Sequence, residues 1–228
     1  MKIKTIIMAL VTICSSCKVN MPISYKVKDI QSSQDLKLSG IIFDIEQFND
    51  KRKDNADNGI LYVNENLCKL DGQKFCINSE KYYRKEPVSQ QITSLLVDHL
   101  KQRNSFKAVV KNQKDTADYY ITGSLTKFYG KQAFSNAALV GSQFGLIGAV
   151  ATAGKKTKGK IMFEITDLKI YNKKNQLIKD LGTFKKEYEE DFPVDGYCWC
   201  MYSNVNTKLK NYFSEFISTL ETEIKNIE

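Results

Sequence analysis

The chain has 228 residues, 42% hydrophobic and 11% aromatic, enough apolar material for one packed domain and too much for a disordered or low-complexity chain. Its formal charge of +8 falls to +6 without Lys2 and Lys4, and the remaining Lys and Arg interleave with Asp and Glu. That pattern reads plainly as a solvated surface and more sharply as one that meets anionic lipid headgroups.

Residues 1–17, MKIKTIIMALVTICSSC, carry an export signature. Lys2 and Lys4 form a positive n-region, Ile6 to Ile13 a short apolar core, and Ser15-Ser16 place small residues before Cys17, as a lipoprotein signal peptidase requires. Position −3 holds Cys14 where Leu or Val is commoner, and Cys14 is itself a poorer acylation site because Ile13 precedes it. An ordinary secretory signal and an uncleaved anchor helix are the competing readings. Acylation at Cys17 would anchor the chain to a lipid bilayer at about 0.8 kcal/mol per buried methylene. Export also argues against a nucleic-acid partner. Lys18, Val19, Asn20 and Met21, with no Asp behind the Cys, resemble lipoproteins sent on to an outer membrane. Residues 18–37 are polar and read as a tether, leaving 38–228 as a single domain.

Four further cysteines, Cys68, Cys76, Cys198 and Cys200, are an even number in an oxidising compartment and suggest disulfides. Asp71-Gly72 is a hairpin turn signal that would draw Cys68 towards Cys76, the preferred pairing. Cys198 and Cys200 would close a tight ring or stay reduced. A four-thiolate zinc site competes, although neither spacing forms the usual two-residue knuckle.

Leu38 to Phe48 reads as a buried strand, followed by a polar loop and a hairpin insertion over 60–83. Pro87 suits a first helical turn, and Val88, Ile92, Leu95, Leu96, His99, Leu100 and Arg103 fall at helical spacing up to a stop at Asn104. His99 is the single histidine, and its place beside an apolar face points to packing, since no second ligand or nucleophile accompanies it. Phe106–Val110 predicts a short strand, and Ala117–Tyr129 a long one with Tyr120, Thr122, Ser124, Thr126 and Phe128 on one face. Gln132 to Gly154 then runs 23 residues without a charge, with Gly141, Gly145 and Gly148 at small-residue spacing and Lys155 and Lys156 directly after. Its length reaches a helical span while its Ser, Asn and Gln residues argue for packing on its own domain, on a partner or on a second copy of the chain. Lys160–Tyr171 and Leu177–Glu189 predict an antiparallel hairpin. A terminal helix carries Val205, Leu209, Phe213, Phe216, Leu220 and Ile224 on one face, with Asn204 or Ser203 as its cap.

This order predicts an α+β two-layer sandwich, a mostly antiparallel sheet of about four to five strands with both amphipathic helices on one face. The first strand would run parallel to Phe106–Val110 through a right-handed helical crossover. No G-x-S-x-G, H-E-x-x-H or phosphate-binding loop occurs, and the cluster of Glu187, Glu189, Glu190 and Asp191 reads as a charged strand edge. No catalytic residue, cofactor or metal ligand is therefore assigned.

The succession of a strand ending in DIEQFNDKR, the helix QQITSLLVDHLKQRNSF, the strand ADYYITGSLTKFYG, a Gly-rich apolar stretch, the strand GKIMFEITDLKIYNKKNQLI and a terminal helix resembles a group of Gram-negative lipoproteins. These are the uncharacterised outer-membrane lipoproteins related in design to the curli-secretion channel lipoprotein, and the auxiliary lipoproteins of ABC-type lipid transporters. The resemblance spans Leu38 to about Ile224 and implies envelope assembly or transport without chemistry of its own. A non-enzymatic binding or assembly component is thus the first expectation. A subunit of a transport or secretion pore using the 132–154 segment is the second, and an enzyme the third.

Overall fold

The computed structural model describes residues 23, 25–30, 32, 38–52, 59–62, 69–70, 73–79, 87–134, 154, 156–193 and 199–227. Two helices pack on a mixed sheet, an α+β fold. The strands are β1 (Ile42–Ile45), β2 (Asn49–Asp50), β3 (Gly59–Tyr62), β4 (Lys69–Leu70), β5 (Gln73–Ser79), β6 (Ala108–Lys111), β7 (Tyr119–Phe134), β8 (Lys156–Asn172) and β9 (Leu177–Pro193). The helices are α1 (Val88–Arg103) and α2 (Trp199–Lys225).

Where four to five strands were expected, nine are present among the described residues, because short pieces join one long scaffold. That scaffold is β7, whose two edges are used differently. Strand β8 pairs antiparallel along one edge from Tyr119 to Gln132. The other edge takes β1 and β2 in parallel at Tyr119–Ile121 and Ser124–Leu125, and then β5 antiparallel at Lys131–Phe134. One half of the sheet therefore reads β6-β1-β7-β8-β9 and the other continues through β5 to β3 and β4. Leu70 pairs with Gln73, so a two-residue connection spans the expected Asp71-Gly72 turn, which itself lies outside the described residues.

Helix α1 is the crossover between the parallel strands β1 and β6. Pro87 precedes its first turn, where a missing N–H costs nothing, and Asn104 closes it in the left-handed region at φ 56°. Helix α2 begins at Trp199, so Ser203 and Asn204 stand inside it and do not cap it.

The core lies between the sheet and both helices. Phe43, Ile45, Ile121, Leu125, Phe163 and Ile165 from the strands meet Ile92, Leu96, Leu209, Phe213, Phe216 and Leu220 from the helices. Strand alternation fails in β7, where the register shift between Leu125 and Lys127 gives β7 one extra residue and brings Phe128 to the same side as Ile121, while the shift between Thr122 and Ser124 puts the extra residue in β8, between Thr166 and Lys169. Gly123 lies within this irregular stretch for a steric reason. A Cβ there would sit 2.9 Å from Ile165 Cγ2, 3.0 Å from Leu168 Cδ2 and 3.3 Å from Phe48.

Residues expected as a free tether contribute to the domain. Ile23 is buried, and Tyr25 and Val27 pack on the core. We call residues 23–32 the strap. Residues 18–22, the signal 1–17 and most of the 132–154 segment lie outside the described residues.

Candidate functional site

The strap lies on the helix layer and follows α1 from its start to its end. Ile23 N–H donates to Gln91 Oε1 (3.2 Å), the Tyr25 hydroxyl meets His99 Nδ1 (2.6 Å), and Ser32 Oγ donates to the Arg103 carbonyl (3.3 Å). Tyr25 enters the seam between the helices, with its ring edge-on to His99 of α1 and to Phe213 of α2. The residue types explain the docking: Ile23, Tyr25 and Val27 alternate with exposed Lys26 and Lys28, one side buried and the other in water.

His99 is fully buried. Burial, followed by the Arg103 and Lys210 charges, pulls its pKa down to about 4, so the ring is neutral at ordinary pH. Its tautomer follows from counting donors. Ser214 Oγ spends its one proton on the Lys210 carbonyl (3.0 Å) and can only accept from His99 Nε2, at a long 3.5 Å. The proton therefore sits on Nε2, and Nδ1 accepts from Tyr25. Burial, reinforced by the Asp98 charge, raises the Tyr25 pKa far above its ordinary range and keeps the hydroxyl a donor.

Beyond His99, the ends of α1 and α2 are joined by a buried carboxylate. Glu221 takes a two-pronged contact from Arg103, at 2.6 Å through Nη2 and 3.2 Å through Nε, and a third hydrogen bond from Ser105 Oγ at 2.5 Å. Together with the Tyr25–His99–Ser214 chain this fixes the helix seam at two points.

The opposite, open face of the sheet is different in character. Tyr120 and Tyr171 stack at 5.2 Å, and Tyr120 donates to Asn175 Oδ1 (2.7 Å). Asp44 is wholly buried there, beneath the turn that follows β6. Its Oδ1 accepts from the Gln113 N–H (3.0 Å), while Oδ2 has no donor among the described residues unless a neighbouring acid is protonated. Glu46, two residues along the same strand, is that neighbour. Burial first, then hydrogen bonding to Asp44 and the Asp44 charge, raises its pKa, so its protonated form, which can donate to Asp44, is favoured over that of a free Glu. Further along, Lys127, Glu164 and Thr126 form a charged rung (Lys127 Nζ to Glu164 3.3 Å), and Lys160 pairs with Glu187 and Glu189.

A broad cleft of about 500 Å³ opens where β1 begins beside the β8–β9 turn, lined by Gly40, Asp118, Asn172, Lys173 and Lys174. Asp118 is occupied with the Ile42 N–H (2.9 Å). A smaller groove of about 260 Å³ between β9 and α2 is floored by Leu181, Phe184 and Phe216 and bridged by Lys179–Glu223 at 2.8 Å.

Of the sites expected from sequence, Cys17, Cys68, Cys198, Gly141, Gly145, Gly148 and Lys155 lie outside the described residues. Cys76 sits in β5 opposite Gln132, Cys200 in the first turn of α2, and exposed Lys156 at the start of β8 opposite Pro193. The Glu187–Asp191 cluster runs along β9. Among the described residues no three metal-binding side chains converge, and no helix is long and apolar enough to cross a membrane. Sequence reasoning missed the strap and the Asp44–Glu46 pair. The alternation of Ile23, Tyr25 and Val27 was the available signal for the first, and Asp44 and Glu46 on one face of an otherwise apolar strand the signal for the second.

No family model matches the sequence, and no curated protein matches it. Among solved structures, the chain is similar to a crystal structure of a Xanthomonas campestris protein assigned to DUF330, a family of unknown function. That match has 7% identity and a TM-score of 0.53, and covers 86% of this chain and 94% of the other. A second solved structure, of an uncharacterized protein, is 17% identical with a TM-score of 0.44, covering 84% of this chain and 99% of that one. The first likeness supports the α+β fold.

Proposed function

We propose that this chain is a non-enzymatic lipoprotein of the cell envelope, anchored by acylation of Cys17, whose domain works as a binding or assembly component. The observation that carries the reading is Ser15-Ser16-Cys17 behind a Lys-flanked apolar run, with the folded strap beginning six positions later. The sole imidazole supports the non-enzymatic part, because His99 is withdrawn into the helix seam and spends both nitrogens on Tyr25 and Ser214. Buried Glu221 is likewise committed to Arg103 and Ser105. The order of elements shared in outline with Gram-negative envelope lipoproteins agrees with a partner in that compartment.

Metabolic labelling with palmitate tests the anchor. The wild-type chain incorporates label and fractionates with membranes, while Cys17→Ser accumulates as unlabelled precursor. Label retained by Cys17→Ser would refute the reading. Crosslinking in intact cells followed by purification would then identify the partner.

A further inference from the structure

We infer that the α1–α2 layer, carrying the strap, lies against the bilayer surface, and that the open face of the sheet points away from it. This rests on acylation at Cys17 and adds an orientation. Five residues separate Cys17 from Ile23, whose side chain is buried and whose N–H is held by Gln91 of α1. Six links of extended chain reach at most about 20 Å. A tether free up to Leu38 would reach about 70 Å and allow any orientation. Docking of the strap removes that freedom.

Direction follows from where the strap sits. It occupies the seam between α1 and α2, the helices that cover the sheet face opposite the open one. The helix layer alone is about 10 Å thick and the sheet lies beyond it, so a path from Ile23 round to the open face would consume the whole reach of 18–22. The same layer presents exposed Lys26 and Lys28 on the strap and Lys101 on α1. These three cations outnumber the exposed Asp98 of α1, so the side nearest the anchor suits anionic headgroups. The occupant of this face is therefore an anionic phospholipid surface. The open face, with stacked Tyr120 and Tyr171 and the Lys127–Glu164 rung, is left for a protein partner.

The test uses the full acylated chain reconstituted in vesicles of phosphatidylethanolamine and phosphatidylglycerol. Benzoylphenylalanine replaces Lys28 or Lys101 on the helix layer or, separately, exposed Lys185 on the open face, and crosslinking to phospholipid is measured. Crosslinking several-fold stronger from Lys28 and Lys101 than from Lys185 supports the orientation. A flexible Gly-Ser insertion between Val19 and Asn20 lengthens the reach without touching the strap and should erase most of that bias. Equal crosslinking from both faces in palmitate-labelled protein overturns the orientation alone. A chain that carries no palmitate overturns the anchor and the orientation together.

Discussion

Acidification is expected to weaken this fold through His99. The imidazole is fully buried, its pKa is held near 4 against 6.5 for the free side chain, and its two nitrogens are occupied in the neutral form. A histidine with a depressed folded pKa contributes stability that is complete above the unfolded value and lost as pH falls through the folded one. The window therefore runs from 6.5 down to about 4. Near pH 5 the unfolded chain has bound the proton and the folded chain has not, a difference worth about 2 kcal/mol relative to pH 7. With a urea m-value of about 2 kcal/mol/M, the unfolding midpoint drops by roughly 1 M. Other groups titrate in this range, so the assay is a comparison: urea unfolding at both pH values for the wild type and for His99→Gln, which keeps an acceptor for Tyr25 but cannot titrate. The variant is expected to be less stable throughout yet to lose less on acidification, by about that margin. An equal acid-induced drop in both proteins, or a His99 ring titrating near 6.5 by NMR, would refute the argument.

Glu46 carries the opposite sign. Its folded pKa is raised, so its contribution is complete below the unfolded value of 4.5 and fades as pH rises through the folded value. Glu46→Gln keeps a donor for Asp44 and should stabilise the domain at neutral pH while flattening its stability profile between weakly acid and neutral solution, read by thermal unfolding. Gly123→Ala places a methyl against Ile165 and Leu168, both buried beyond easy movement, and should cost about 1–3 kcal/mol in chemical denaturation. Arg103→Ala strands the buried Glu221 carboxylate and should cost about 3–5 kcal/mol, whereas Arg103→Met with Glu221→Leu should cost far less. Equal losses in the single and double variants would show that packing, and not the unpaired charge, is at stake.

Helix α1 was legible because both of its ends are written locally, in Pro87 before Val88 and in Asn104 after Arg103. The parallel pairing of β1 with β6 followed from the handedness of a strand–helix–strand unit. The start of α2 did not, since Ser203 and Asn204 are competent caps that also stand inside helices when water or a preceding carbonyl accepts their side chains. Phe128 was set on the wrong side of β7 because a bulge leaves no mark on period-two alternation. The strap was hidden for a different reason. Polar neighbours masked a three-residue apolar alternation whose partners, His99 and Phe213, are supplied by distant parts of the chain. The Tyr25–His99 pair and the Arg103–Glu221–Ser105 clamp are products of tertiary structure, and no local pattern encodes them.

The seam has one more consequence, for the timing of folding. Tyr25 stands near the front of the chain and leans on Phe213 in the final helix, so this contact cannot form until almost the whole polypeptide is present on one side of a membrane. In a chain threaded through a translocation channel from its N-terminus, the strap could meet α1 once Arg103 had emerged, but the seam with α2 would stay open until Phe213 followed. The large loop-closure entropy of such a distant contact makes it a late event as well. On the proposed export route, closure of the seam would then mark the completion of export.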